Sequence, residues 1–257
     1  MGIREAIGKG FAVARKSTNL VFVLFAFGAV FNVLNVFLAP PPPAAGAQPL
    51  PPSPAMIVVG IVFVLLTIYF QAGSMAYVRD FVKSGAATLA NFTAGGGKYY
   101  VRLLLLGVAV AVIIGAFVLL AAVLAGVLGT AVPVLAIPVA ILLAALGIYF
   151  VVMLFLSPYA AVVDEQGLKA SIKTSMKLVK KNIGKLIGIT LWVILIGFGV
   201  GIVLGVVLAG VSVVIKAQQP VQIAFAVLSS LVNAFLGVFV TAVFMNFYLS
   251  LTDRNNA

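Results

Sequence analysis

Four stretches of this sequence carry no charged side chain: residues 17–78, 103–163, 186–215 and 217–252. A span of the hydrocarbon core needs only about 20 apolar residues, so the first two stretches each hold two spans. In lipid every backbone N–H and C=O must be paired within the segment, which makes the spans helices. Composition agrees. Charged residues make up 8% of the 257, against roughly 25% in a soluble domain, and the mean hydropathy is +1.28. The expectation is an all-α integral membrane protein in a single membrane domain over residues 1–257.

Proline and glycine divide the long stretches. Pro40 to Pro54 holds eight of the twelve prolines. Proline donates no backbone hydrogen bond and stiffens the chain toward polyproline II, so this segment reads as a semi-rigid loop outside the hydrocarbon. Gly129-Thr130-Ala131-Val132-Pro133 reads as a tight hairpin. Six spans follow: Leu20–Ala39, Ala55–Met75, Val101–Leu128, Val134–Leu156, Ile187–Ile215 and Val221–Leu251. A basic start, an apolar run and Ala45-Gly46-Ala47 resemble a cleavable signal peptide. The run of about 20 residues is longer than a typical signal core, so the first span is read as uncleaved.

Basic residues assign the sides. Arg4, Lys9, Arg15 and Lys16 precede span one; Arg79, Lys83, Lys98 and Arg102 lie between spans two and three. Lys169, Lys173, Lys177, Lys180, Lys181 and Lys185 lie between four and five, and Arg254 follows six. Fifteen bases on one side face Lys216 alone on the other, and such an excess marks the cytoplasmic side. The expected location is the plasma (inner) membrane, multi-pass, with both termini cytoplasmic and the proline loop outside.

The absent residues narrow the chemistry. With no Cys there is no disulfide, thiolate nucleophile or Cys-held metal centre, and with no His no imidazole base or Ser-His-Asp triad. The five acids, Glu5, Asp80, Asp164, Glu165 and Asp253, all lie outside the apolar runs. An ion-coupled carrier usually needs an ionisable group at membrane depth. Asp164 and Glu165 are adjacent rather than facing, and read as N-terminal helix caps or turn caps. No catalytic residue, cofactor, metal or nucleic acid is expected.

Each cytoplasmic segment reads as a basic amphipathic stretch leading into an odd-numbered span. At 100° per residue, Leu168, Ile172, Met176, Val179, Ile183 and Leu186 fall within about 80° of one another, with the six lysines opposite. Near the N-terminus Ile3, Ile7, Phe11 and Ala14 line one face. The middle copy, Arg79 to Arg102, reads as broken by Gly85 and by Gly95-Gly96-Gly97. The chain then divides into three units of interfacial helix plus two-span hairpin: 1–75 with outer loop 40–54, 76–156, and 157–257.

The same residues carry a resemblance. Ser157-Pro158-Tyr159-Ala160, then Asp164-Glu165-Gln166-Gly167-Leu168-Lys169-Ala170, Ser175, Lys180 and Lys181 resemble a segment of a six-span prokaryotic membrane superfamily. Its members include the membrane region fused to some glycerophosphodiester phosphodiesterases, and stand-alone proteins mostly of unknown function. Gly73, Arg79-Asp80, Phe92 and Lys98 to Arg102 are similar to its segment between spans two and three. The resemblance implies a six-span fold. It implies no catalytic role, because the hydrolase chemistry sits in a separate soluble domain to which no part of this sequence corresponds.

Within the spans, Gly197, Gly201, Gly205 and Ala209 recur every fourth residue, as do Gly107, Ala111 and Gly115. Such rows let another helix approach closely, within the chain or in a homo-oligomer or protein partner. Asn32 and Asn35 lie one turn apart, and Ser230, Asn233, Gly237 and Thr241 share a face. They read as interhelical hydrogen bonds or as the lining of a polar path. The leading expectation is a non-enzymatic module that organises partner proteins or anionic lipid headgroups through Lys169, Lys173, Lys177, Lys180, Lys181 and Lys185. The alternative is a transporter or channel component for a neutral or anionic solute, lined by Asn32, Asn35, Ser230, Asn233 and Thr241.

Overall fold

The computed structural model describes residues 1–38, 51, 53–131, 133–214 and 218–253. They form eight helices: α1 Ile3–Lys16, α2 Thr18–Leu38, α3 Pro54–Ser84, α4 Leu89–Ala131, α5 Pro133–Leu154, α6 Ser157–Val163, α7 Leu168–Val214 and α8 Gln218–Asp253. No strand occurs among the described residues. Six of the helices are long and apolar enough to cross a membrane, as the charge-free stretches require. The chain is a multi-pass membrane protein. Most of the proline loop, together with Val132, Lys216 and Arg254, lies outside the described residues.

Local chemistry explains most boundaries. Ser53 caps α3 by accepting the Met56 amide at 3.2 Å, and Pro54 takes the first helical position, where no amide hydrogen is needed. Gly85 ends α3 in the left-handed region (φ 78°), which costs glycine little. Thr88 then starts α4, its amide and hydroxyl both donating to the Asn91 side chain at 3.0 and 2.7 Å. In α7 the helix is interrupted at Asn182 (φ −131°, ψ 21°), whose side-chain amide donates to the Leu178 carbonyl at 3.0 Å. That break falls between Lys181 and Lys185, so five of the six lysines precede it and one follows it.

Contacts divide the chain into two compact units: Met1–Gly97 with Ile187–Ala257, and Lys98–Leu186. In the first unit α8 is the hub, packed against α1, α2 and α3. It buries Val238, Phe239, Ala242, Val243, Phe244, Phe247 and Tyr248. Between α2 and α3 the contact is aromatic: Phe27 stacks on Phe70 with centroids 4.1 Å apart, and on Phe63 at 5.6 Å. Such pairs add stabilisation beyond area, useful where lipid supplies no hydrophobic drive between helices. In the second unit Ser175 fastens α7 to the end of α5. Its hydroxyl accepts the Leu156 amide at 3.1 Å and donates to the Met153 carbonyl at 2.7 Å, all of it buried. Phe117 and Phe150 tie α4 to α5.

Several expectations need correcting. Gly95, Gly96 and Gly97 do not break the chain, because α4 starts at Leu89 and runs through them. A side chain at Gly95 would overlap Ala76, and one at Gly96 would meet the Tyr69 ring, so these glycines admit α3 rather than end a helix. Gly129 and Thr130 belong to the last turn of α4, so the hairpin is tighter than expected. The buried face of α1 is Ala6, Gly10, Val13 and Ala14 rather than one led by Ile3, Ile7 and Phe11; Phe11 is 53% exposed. Small residues win there because Gly10 sits directly on Val243 and the Phe239 carbonyl of α8. In α7 the buried line is Ser171, Ser175, Leu178, Val179 and Leu186, rotated from the expected stripe, and Ile183 is exposed. Ser175 and its two buried bonds set that rotation. Of the two capping roles open to Asp164, the structure gives it the turn: it closes α6.

Candidate functional site

The six lysines between Leu168 and Leu186 of α7 are all exposed. Among the described residues none of them is ion-paired. The buried side is held down by Ser175, while the buried Ser171 hydroxyl is satisfied within α7 by the Leu168 carbonyl at 2.9 Å. Gln166 steadies the start, accepting the Thr174 hydroxyl at 2.8 Å. The result is a fixed helix carrying a row of unneutralised ammonium groups.

A second cationic surface lies in the other unit. Lys9 and Lys16 of α1 and Lys83 of α3 line a cleft of about 880 Å³ with Asn246 and Ser250 of α8. Its one acid is Glu5, which Lys9 holds at 2.9 Å. The Lys9 hydrogen bond, then the Gly2 amide, lowers the Glu5 pKa below the usual carboxylate range. Helical spacing puts Glu5, Lys9 and Lys16 on one side of α1, away from its buried Ala6–Gly10 face.

Glu165 is the residue that the sequence did not single out correctly. It sits between α6 and α7 with φ 53°, a left-handed conformation that a non-glycine residue adopts rarely. Its carboxylate accepts Lys98 Nζ at 2.6 Å and the Tyr99 hydroxyl at 2.9 Å, and its carbonyl accepts Arg102 at 2.8 Å. One turn residue thus fixes three side chains at the start of the apolar part of α4. The partners lie 63 to 67 residues away, so no local pattern could signal them. Between α3 and α4 Asp80 does similar work over a shorter range, accepting Arg79 at 2.8 Å and Asn91 at 2.9 Å across the turn.

The structure brings together four of the five polar residues expected inside the spans. Asn32 donates to the buried Ser230 hydroxyl at 2.7 Å, and Ser230 donates to the Ala226 carbonyl at 2.6 Å. Beside that bond is a cleft of about 440 Å³ between α2 and α8, lined by Asn32, Asn35 and Asn233 with Gln222 and Ser229. Thr241 is not part of its lining, so the five do not form one continuous row. Apart from their chain neighbours and their own helix backbone, no described atom lies within 4 Å of where a Cβ would stand at Gly107, Gly115, Gly197, Gly201 or Gly205. Close approaches within the chain are made at Gly10, Gly73, Gly95 and Gly96.

Residues 1–251 match the family model described as Domain of unknown function (DUF7847). The chain belongs to this family. The match runs from α1 nearly to the end of α8, so all six apolar helices and both cationic surfaces lie within it. No curated protein and no solved structure matches the chain.

Proposed function

We propose that this protein is a non-enzymatic module of the plasma membrane, with both termini cytoplasmic, that gathers anionic lipid and the proteins attracted to it. The observation that carries the reading is the row of six exposed, unpaired lysines from Lys169 to Lys185 of α7. A structural role alone leaves them without compensation, whereas an anionic leaflet supplies it. Each base near such a leaflet contributes about 1 kcal/mol, decaying over a Debye length of roughly 8 Å at physiological salt. The cleft of Lys9, Lys16 and Lys83 adds a second cationic surface on what this orientation makes the same side. The likeness to the membrane region of fused phosphodiesterases supports the same reading, since in those proteins the chemistry resides elsewhere.

The test changes Lys169, Lys173, Lys177 and Lys180 to Gln, leaving Lys181 and Lys185 among the charges that hold orientation. The variant should insert normally but retain clearly less phosphatidylglycerol or cardiolipin through purification. Equal retention would leave the lysines only a topological role and would defeat the proposal. Orientation is checked separately with single cysteines at Pro51 and Lys173, probed by an impermeant thiol reagent on intact cells. Pro51 should label and Lys173 should not.

A further inference from the structure

Where α2 ends and α8 begins, the first unit holds two clefts that share a wall. One is the polar cleft between α2 and α8. The other, about 250 Å³, lies between α2 and α3 and is lined by Phe31, Leu38, Met56 and Phe63 together with the same Asn32 and Asn35. Asparagines one turn apart on α2 thus face an amide-rich lobe on one side and an apolar lobe on the other.

The chemistry of the two lobes selects a ligand. Each amide side chain offers two N–H donors and a carbonyl acceptor. Asn32 uses one donor on Ser230, while Asn35, Gln222 and Asn233 make no hydrogen bond to another described residue. Polar groups along apolar helices cost free energy unless something pairs them. Among the described residues no charged side chain lines either lobe, so these walls offer an ionised ligand no counter-charge for the hydration it would lose. In the apolar lobe Phe31 and Phe63 stand 4.9 Å apart, and Met56 adds an unbranched side chain that adapts its shape.

We propose that these two adjacent clefts bind one uncharged amphiphile that reaches past Asn32 and Asn35, with a hydroxyl, amide or carbonyl head between α2 and α8 and a hydrocarbon body between α2 and α3. The volumes suit a small ligand. Nothing in this assignment depends on the lysine-rich surfaces, and it stands or falls separately from the lipid-headgroup reading. The ligand enters either from the membrane, as a lipid-derived alcohol or carbonyl compound, or from water, as a short-chain amphiphile.

The whole protein in detergent is photolabelled with a diazirine-bearing octanol and mapped by peptide mass spectrometry. Saturable labelling is expected in α2 and α3, competed by unlabelled octanol and not by glycerol. In N35L/N233L the half-saturating concentration should rise about tenfold, the effect of losing roughly one hydrogen bond to the head. The Asn32–Ser230 bond is untouched in that variant, and thermal unfolding checks that it folds. Met56→Ser, in the first turn of α3, should weaken labelling through the other lobe. A diazirine-bearing octane without the hydroxyl should label wild type and N35L/N233L alike. Competition by a water-insoluble long-chain alcohol would identify the membrane as the source, and its failure beside octanol would identify water; both uphold the site. Equal labelling of wild type and both variants would overturn the proposal, and so would competition by glycerol as strong as by octanol.

Discussion

The α1–α8 contact and the glycine row of α7 make an instructive pair. Both present small residues at helical spacing, and from sequence alone the α7 row is the more regular. Yet Gly10 lies against Val243, where any side chain would collide, while at Gly197, Gly201 and Gly205 no described atom beyond the chain neighbours and the helix's own backbone lies within 4 Å of a Cβ position. Small residues permit close approach but do not compel it. What compels it is a partner of matching shape, and α8 offers α1 one through Val238, Phe239, Ala242 and Val243. Regularity of spacing is therefore a poor guide to which glycine carries packing energy.

Three substitutions would break or sharpen that contrast. Gly10→Leu should have the largest effect, because the added side chain meets both Val243 and the backbone of α8. A loss of about 3 kcal/mol is expected, at the upper end for overpacking, read as a large drop in melting temperature in detergent. An unchanged melting temperature would show that α1 does not rest on α8. Asn32→Leu is the intermediate case, since it removes one interhelical bond to α8 without adding a collision. It should cost about 0.6 kcal/mol, the mean for such bonds in membrane proteins. A loss as large as that of Gly10→Leu would mean that the polar bond organises the α2–α8 contact. Gly201→Leu should change stability by less than about 0.5 kcal/mol, as for substitutions clear of close contacts. A melting temperature lowered as far as in Gly10→Leu would place the row in a packed interface, and light scattering would then show whether a second copy supplies it.

Legibility in the sequence follows the range of the physics. The six spans are readable because lipid forbids charge over a whole run, a property of composition within some 20 residues. Ser53, Pro54 and Gly85 are readable because caps and turns are local. The face of α1 was misread because a hydrophobic wheel gives weight to Ile7 and Phe11 and none to Gly10, although close packing rewards the reverse. The glycine triplet was misread for a related reason. Intrinsic propensity says that Gly95 to Gly97 weaken a helix, and tertiary contact with Ala76 and Tyr69 overrides it. Of the polar site, Asn32, Asn35, Ser230 and Asn233 were visible as polar residues in apolar runs. Gln222 and Ser229 acquire meaning only when α8 is laid beside α2. Glu165 could not be read at all, because its partners lie on the far side of two apolar helices in the chain.

That last separation has a consequence in time. Translation proceeds at about 5–20 residues per second, so the 67 residues between Lys98 and Glu165 take roughly 3–13 s to make. Throughout that interval Lys98 and Arg102 have been synthesised and Glu165 has not. Both bases therefore meet the insertion machinery with their charge uncancelled by Glu165, while the helix that follows them is being placed. Only when the turn after α6 emerges does its carboxylate draw Lys98 in, and its carbonyl Arg102. The order of residues along the chain therefore leaves Lys98 and Arg102 without this partner until α4 and α5 have been made, and fastens them to it only afterwards.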